Sequence, residues 1–106
     1  MANNFSIIKS MAREGDTLKV EVLGSLTVET SNEFYDKLKG ELDGVMTLII
    51  DMKMMAYVTS AGIRSLFRII KQISAQGGKV IVRNVNKEVM TVFELMNVVS
   101  IVTVEG

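Results

Sequence analysis

Cysteine, histidine and proline are all absent from the 106 residues. Without cysteine no disulfide or thiolate metal site can form; without histidine as well, the usual zinc sites and the Ser/His and Cys/His nucleophile pairs are excluded. An excess of one charge is missing too. Lysine plus arginine equal aspartate plus glutamate at 12 each, so no basic surplus is available to neutralise a nucleic-acid backbone. The apolar runs are far shorter than the ~20 residues that span a bilayer, and the opening "MANNFSIIKSMAREGD" lacks the charged head and long apolar stretch of a signal peptide. A cytoplasmic protein is expected, with neither nucleic acid nor membrane among its partners. No linker, low-complexity tract or repeat interrupts the chain. The expectation is therefore one domain over residues 1–106, large enough to bury a core without covalent staples.

What is present is a regular alternation of strand-like and helix-like segments. Phe5 to Met11 and Thr17 to Leu23 are rich in Ile and Val with partial alternation, and "REGD" at Arg13 to Asp16 supplies turn chemistry between them, which predicts a hairpin. In Val28 to Leu42, Phe34, Leu38 and Leu42 recur at helical spacing, and Thr30 followed by Glu33 fits a capping box. Val45 to Asp51 is a nearly continuous apolar run, as expected for a central strand covered on both faces. Ile63, Leu66, Phe67, Ile70 and Ile73 form a helical stripe with Arg64, Arg68 and Lys71 on the other side, and Gly77 and Gly78 supply a stop. Lys79 to Val85 predicts another strand, Lys87 to Met96 a third helix, and Ser100 to Val104 a last short strand. The order ββαβαβαβ implies an α/β fold: a mostly parallel central sheet, an antiparallel N-terminal edge hairpin, and helices packed against it.

In such sheets functional surface gathers where strands run into the amino ends of helices, because free backbone N–H groups there attract anions. "YVTSAGI" at Tyr57 to Ile63 is such a junction. One reading makes Ser60 the helix N-cap and Thr59 the end of the strand, with Ala61 and Gly62 letting the helix pack tightly. The other makes Ser60 a phosphorylation site: a phosphate there would meet the positive end of the helix dipole and place about −1.5 to −2 charges on any surface a partner covers.

Taken in order and at their distances, "VEVLGSLT" at Val20 to Thr27, "LIIDMKMMAYVTSAGIRSL" at Leu48 to Leu66, "KQISAQGGKVIVRNV" at Lys71 to Val85 and "VFELMNV" at Val92 to Val98 resemble the STAS domain, and within it the small stand-alone anti-sigma factor antagonists of bacteria. In that family the serine directly after the central strand is phosphorylated by a partner kinase that is also the anti-sigma factor. Ser60 occupies that position. The resemblance implies partner switching by a regulator that is not itself an enzyme. The unphosphorylated protein binds the anti-sigma factor serine kinase and frees a sigma factor, phosphorylation breaks the complex, and a metal-dependent serine phosphatase resets it. Thr27, Thr59, Ser60, Ala61, Gly62, Ile63 and Arg64 are the implied partner-binding residues, with no cofactor and no metal.

The chain departs from the family pattern at Thr59, where aspartate is usual before the serine, and at Ser25 and Thr27, where "GSLT" replaces a segment with glutamate and aspartate. Threonine keeps a hydrogen-bonding hydroxyl but carries no charge. Two other readings use the same helix end. One is a STAS adaptor that binds its partner without phosphorylation, and the other is a sensor for a small anionic ligand. Asp51 is read either as a carboxylate near the serine loop or as a local turn acceptor. Met52, Met54 and Met55 are read as core filling or as an adaptable partner surface. Arg64 and Arg68 are read as a partner contact or as the solvated face of an amphipathic helix.

Overall fold

Ile8–Glu14 forms β1 and Thr17–Leu26 forms β2, an antiparallel pair turned at Gly15 and Asp16, where Gly15 takes φ +63°, a conformation that costs glycine nothing. The coordinates are a computed structural model that describes residues 7–105; Phe5, the expected start of the first strand, lies outside them. β2 buries every second residue from Leu18 to Val22, the alternation of a strand with one face on a core.

α1 spans Val28–Lys39. The expected capping box sits three residues earlier than Thr30 and Glu33 would place it: Thr27 is the N-cap, accepting from the Glu29 amide at 3.2 Å, and Thr30 is the reciprocal side chain, accepting from the Thr27 amide at 2.9 Å. Glu33 is thereby free for other duties. It accepts from the Ile7 amide at 3.3 Å and pairs with Lys37 at 3.3 Å. The helix stops at Lys39, with Gly40 as its C-cap donating its amide to the Leu38 carbonyl; Leu42, expected inside it, is buried in the connection.

β3 runs over Thr47–Val58, well past Asp51. Past Asp51 it goes on pairing with β2 as far as Leu26 and Val58, and along the way the register slips once between Glu21 and Leu23 and again between Gly24 and Ser25. Each slip inserts one residue and shifts the inward-facing set. The buried positions go from Leu48, Ile50 and Met52 to Met55 and Val58, so simple alternation fails over the second half.

α2 follows at Ser60–Ala75, then β4 at Lys79–Arg83, α3 at Lys87–Leu95, a 3-10 turn at Val98–Ser100, and β5 at Thr103–Glu105. β4 ends before the expected Val85 because Asn84 turns to φ +59°. Ser100, expected in the last strand, belongs to the 3-10 turn set up by Asn97 at φ +61°. The sheet order is β1-β2-β3-β4-β5, antiparallel only at β1, with β3 in the centre. This is the α/β architecture and the ββαβαβαβ order read from the sequence.

Parallel strands added in one direction by right-handed crossovers place their helices on the same face. Phe34 and Leu38 of α1, Leu66 and Ile70 of α2, and Val89 and Phe93 of α3 accordingly share one buried cluster. No helix of the described residues covers the other face, so β3 is not covered on both sides as expected: Lys19 and Lys79 are exposed there and Asp51 and Arg83 half-buried, around an apolar pair of half-buried Ile49 and buried Ile81. Among the described residues no helix is long and apolar enough to cross a membrane.

Candidate functional site

β2 and β3 end side by side. Leu26 is in register with Val58, so the next residues, Thr27 and Thr59, open α1 and α2 as neighbours across a strand spacing of about 4.8 Å. Two helix amino ends therefore meet at one edge of the sheet, where their unsatisfied N–H groups add partial positive charge.

At the start of α2 the polar groups divide sharply between used and unused. Thr59 is the N-cap: its hydroxyl accepts from the Gly62 amide at 3.2 Å, and its own amide donates to the Leu26 carbonyl at 2.9 Å. The expectation that Ser60 caps the helix is therefore corrected. Thr59 and Ser60 are both good cap residues, and the strand's pairing through Val58 leaves Thr59 as the half-in residue. Ser60 becomes the first helical residue, exposed, and its hydroxyl makes no hydrogen bond among the described residues. The amides of Ser60 and Ala61 likewise have no acceptor among the described residues.

Gly62 and Ile63 leave the expected contact surface. A Cβ on Gly62 would run into the Leu26 carbonyl, lying 2.7 Å from its carbon, so the glycine is what allows α2 to rest on the end of β2. Ile63 is fully buried in the core, and its side chain has no outer surface to offer. Ala61 is half-buried and Arg64 is exposed one turn beyond Ser60. Thr27 is half-buried; besides capping α1, its hydroxyl donates to the Glu29 carboxylate at 2.9 Å.

Three neighbours of this edge escaped the sequence reading. Glu29 supplies a carboxylate at the start of α1, close to the positions where Ser25 and Thr27 lack one. Val28 and Tyr57 are 65% and 49% exposed, apolar side chains that no core claims. Their signal was present, since Val28 falls off the Phe34 and Leu38 stripe and Tyr57 falls between the inward-facing Met55 and Val58.

Asp51 is not near the serine. It sits in the first half of β3, about 23 Å along the strand from Val58 at ~3.3 Å per residue. The Asn84 side-chain amide donates to it at 3.1 Å and the Lys53 backbone amide at 3.0 Å. These bonds, Asn84 first, hold its carboxyl below the ordinary value by favouring the charged form. Met52 and Met55 are core, while Met54 is 54% exposed and accepts from Lys9 at 3.6 Å. No cluster of three or more metal-binding side chains occurs among the described residues.

The sequence matches the family model of the STAS domain over residues 9–105. No curated protein matches it. Several solved structures share the fold. A candidate anti-sigma factor antagonist from Thermotoga maritima superposes with a TM-score of 0.84 at 20% identity, over 92% of this chain and 85% of that one. An anti-sigma factor antagonist from Mycobacterium paratuberculosis gives 0.76 at 15% identity, over 91% and 82%. The Bacillus cell-fate determinant SpoIIAA in its phosphorylated form gives 0.70 at 15% identity, over 90% and 88%. At these identities the similarity is one of fold.

Proposed function

The chain belongs to the STAS domain family, and from that premise we propose that it is an anti-sigma factor antagonist that binds an anti-sigma factor of the serine-kinase type and is released by phosphorylation at Ser60. One observation carries the reading: Ser60 is an exposed hydroxyl at a helix amino end with no structural duty, because Thr59 does the capping beside it. Modifying it would leave the cap and the core untouched. The existence of a phosphorylated form of one structural neighbour supports the same reading.

The chemistry asked of the protein is that of a substrate. The kinase transfers the γ-phosphoryl group of ATP to the Ser60 oxygen, ADP departs, and the hydroxyl proton passes to a base on the kinase. The product carries about −1.5 to −2 charges at neutral pH. It sits where the free amides of Ser60 and Ala61 and the α2 dipole stabilise negative charge, so the domain stays folded while the docking surface changes sign. A metal-dependent serine phosphatase would hydrolyse the ester and restore the hydroxyl. Thr27, Thr59, Ala61 and Arg64 surround the serine and form the rest of the proposed contact. We place the exchange in the cytoplasm, where ATP and such a kinase meet, and assign the domain no catalytic step of its own.

The test is intact-mass spectrometry after incubation with ATP, magnesium and the kinase encoded nearest the gene. One added phosphate on the parent protein and none on Ser60→Ala is expected. A stable complex with no added phosphate would instead make the chain a constitutive adaptor. The absence of carboxylates at Thr27 and Thr59 is the observation that favours that second reading.

A further inference from the structure

α2 contains three basic residues and no acidic one. Arg64, Arg68 and Lys71 follow Ser60 at steps of four, four and three residues, which places all four on one face. All four are exposed, and the face extends about 16 Å at 1.5 Å per residue. None of the three cations forms an ion pair among the described residues.

The carboxylates of the neighbouring helix are occupied on α1 itself. Glu33 pairs with Lys37 at 3.3 Å, Asp36 with Lys39 at 3.4 Å, and Glu29 accepts from Thr27 at 2.9 Å. Arg68 is also fixed in place, its guanidinium 3.8 Å from the centre of the Tyr35 ring. Tyr35, Arg68, Lys71 and Gln72 line a shallow groove between α1 and α2. In a chain of zero formal net charge, this is a local, ordered positive stripe that starts at the candidate switch residue.

We propose that the Ser60–Arg64–Arg68–Lys71 face of α2 docks an acidic helix of the partner protein, the carboxylates of that helix spaced to meet the three cations. The inference rests on the partner-binding reading above and names the chemistry of the partner. It also gives phosphorylation a local target, since phosphoryl oxygens on Ser60 lie one helical turn from Arg64 and compete with the partner's first carboxylate for it. Three cations one helix wide suit a single acidic helix. Nucleic acid would use many more phosphate contacts.

The test measures association of the full chain with the same kinase over a range of salt concentrations, for the parent, Arg64→Glu/Lys71→Glu, and Lys79→Glu on the opposite face of the sheet. The parent's association rate should fall with salt, the double variant should associate at least about tenfold more slowly with a flatter salt dependence, and Lys79→Glu should follow the parent. A double variant that is phosphorylated and associates at the parent rate overturns the stripe while leaving Ser60 as the switch. If the kinase neither binds nor phosphorylates the parent, the function proposed above fails instead. The stripe is then judged by titration with a synthetic glutamate-rich helical peptide: amide shifts confined to Arg64, Arg68 and Lys71 support it, and their absence overturns it. Binding of phosphatidylglycerol vesicles or duplex DNA that is lost in the double variant, without peptide or kinase binding, would also overturn it.

Discussion

The two ends of α2 are built in the same way and used differently. At each end a glycine lets the chain pass close to neighbouring backbone: Gly62 against the Leu26 carbonyl at the end of β2, and Gly78 beside Met46, just before β3, where a Cβ would lie 2.6 Å from the carbonyl oxygen. At each end a side chain satisfies backbone groups, those of α2 itself at the amino end and those of the connection before β3 at the carboxyl end. Thr59 accepts from the Gly62 amide at 3.2 Å, and the Gln76 side chain donates to the Leu42 and Val45 carbonyls at 3.0 Å each. The carboxyl end of α2 itself is closed by the backbone amides of Gln76, Gly77 and Gly78, which donate to the Gln72, Ser74 and Ile73 carbonyls. The amino end is closed and still presents an exposed serine hydroxyl and two free amides beyond what its cap requires. That difference separates a structural junction from a candidate site, because polar groups left over after the fold is satisfied are the ones available to a partner or a kinase.

The largest effect should come from the shared device. Gly62→Ala puts a methyl group into backbone that cannot swing away, and should destabilise by about 2–3 kcal/mol, a fall in Tm of roughly 10 °C or more for a domain of this size. Circular dichroism melting checks it, and a Tm within experimental error of the parent would mean that α2 can lift off β2 freely. Gln76→Ala comes next. It removes the donor from two carbonyls in the connection before β3 and should cost about 1–2 kcal/mol. A clear loss of stability with unchanged kinase binding would keep the two ends distinct; lost binding would show that the carboxyl end also belongs to the contact.

How much of this was legible in the sequence follows from the same elements. The apolar stripe from Ile63 to Ile73 and the stop at Gly77 and Gly78 mark α2 plainly, and the ββαβαβαβ order needs only periodicity and turn residues. The second half of β3 was hidden because two register slips move the buried set from Met52 to Met55 and then to Val58, which breaks the two-residue period on which strand recognition depends. The cap was misread by one residue since "TS" offers two equally good caps, and only the pairing of Leu26 with Val58 decides between them. Ile63 was placed on the contact surface through its position beside the serine, whereas its helical phase puts it in the core. Glu29 went unnoticed because its approach to the site comes from the pairing of β2 with β3, a contact distant in sequence, whereas the exposure of Tyr57, three residues before Ser60, follows from the second register slip.

The finest form of the comparison lies between the two adjacent hydroxyls at the amino end. Thr59→Ala leaves the Gly62 amide without its acceptor and should cost about 1 kcal/mol, in the middle of the range for lost caps. Ser60→Ala removes a hydroxyl that bonds to nothing among the described residues and should change stability by no more than about 0.5 kcal/mol, while abolishing any phosphate acceptance. Chemical denaturation of the two variants side by side, with unchanged slopes, decides the assignment. If the order is reversed, with Ser60→Ala the more damaging, then Ser60 caps α2 in solution and Thr59 is the free hydroxyl. The candidate switch then moves one residue back, off the face that carries Arg64. If the order holds, a loss of kinase binding in Ser60→Ala cannot be blamed on the fold, because that variant leaves every bond at the helix start in place.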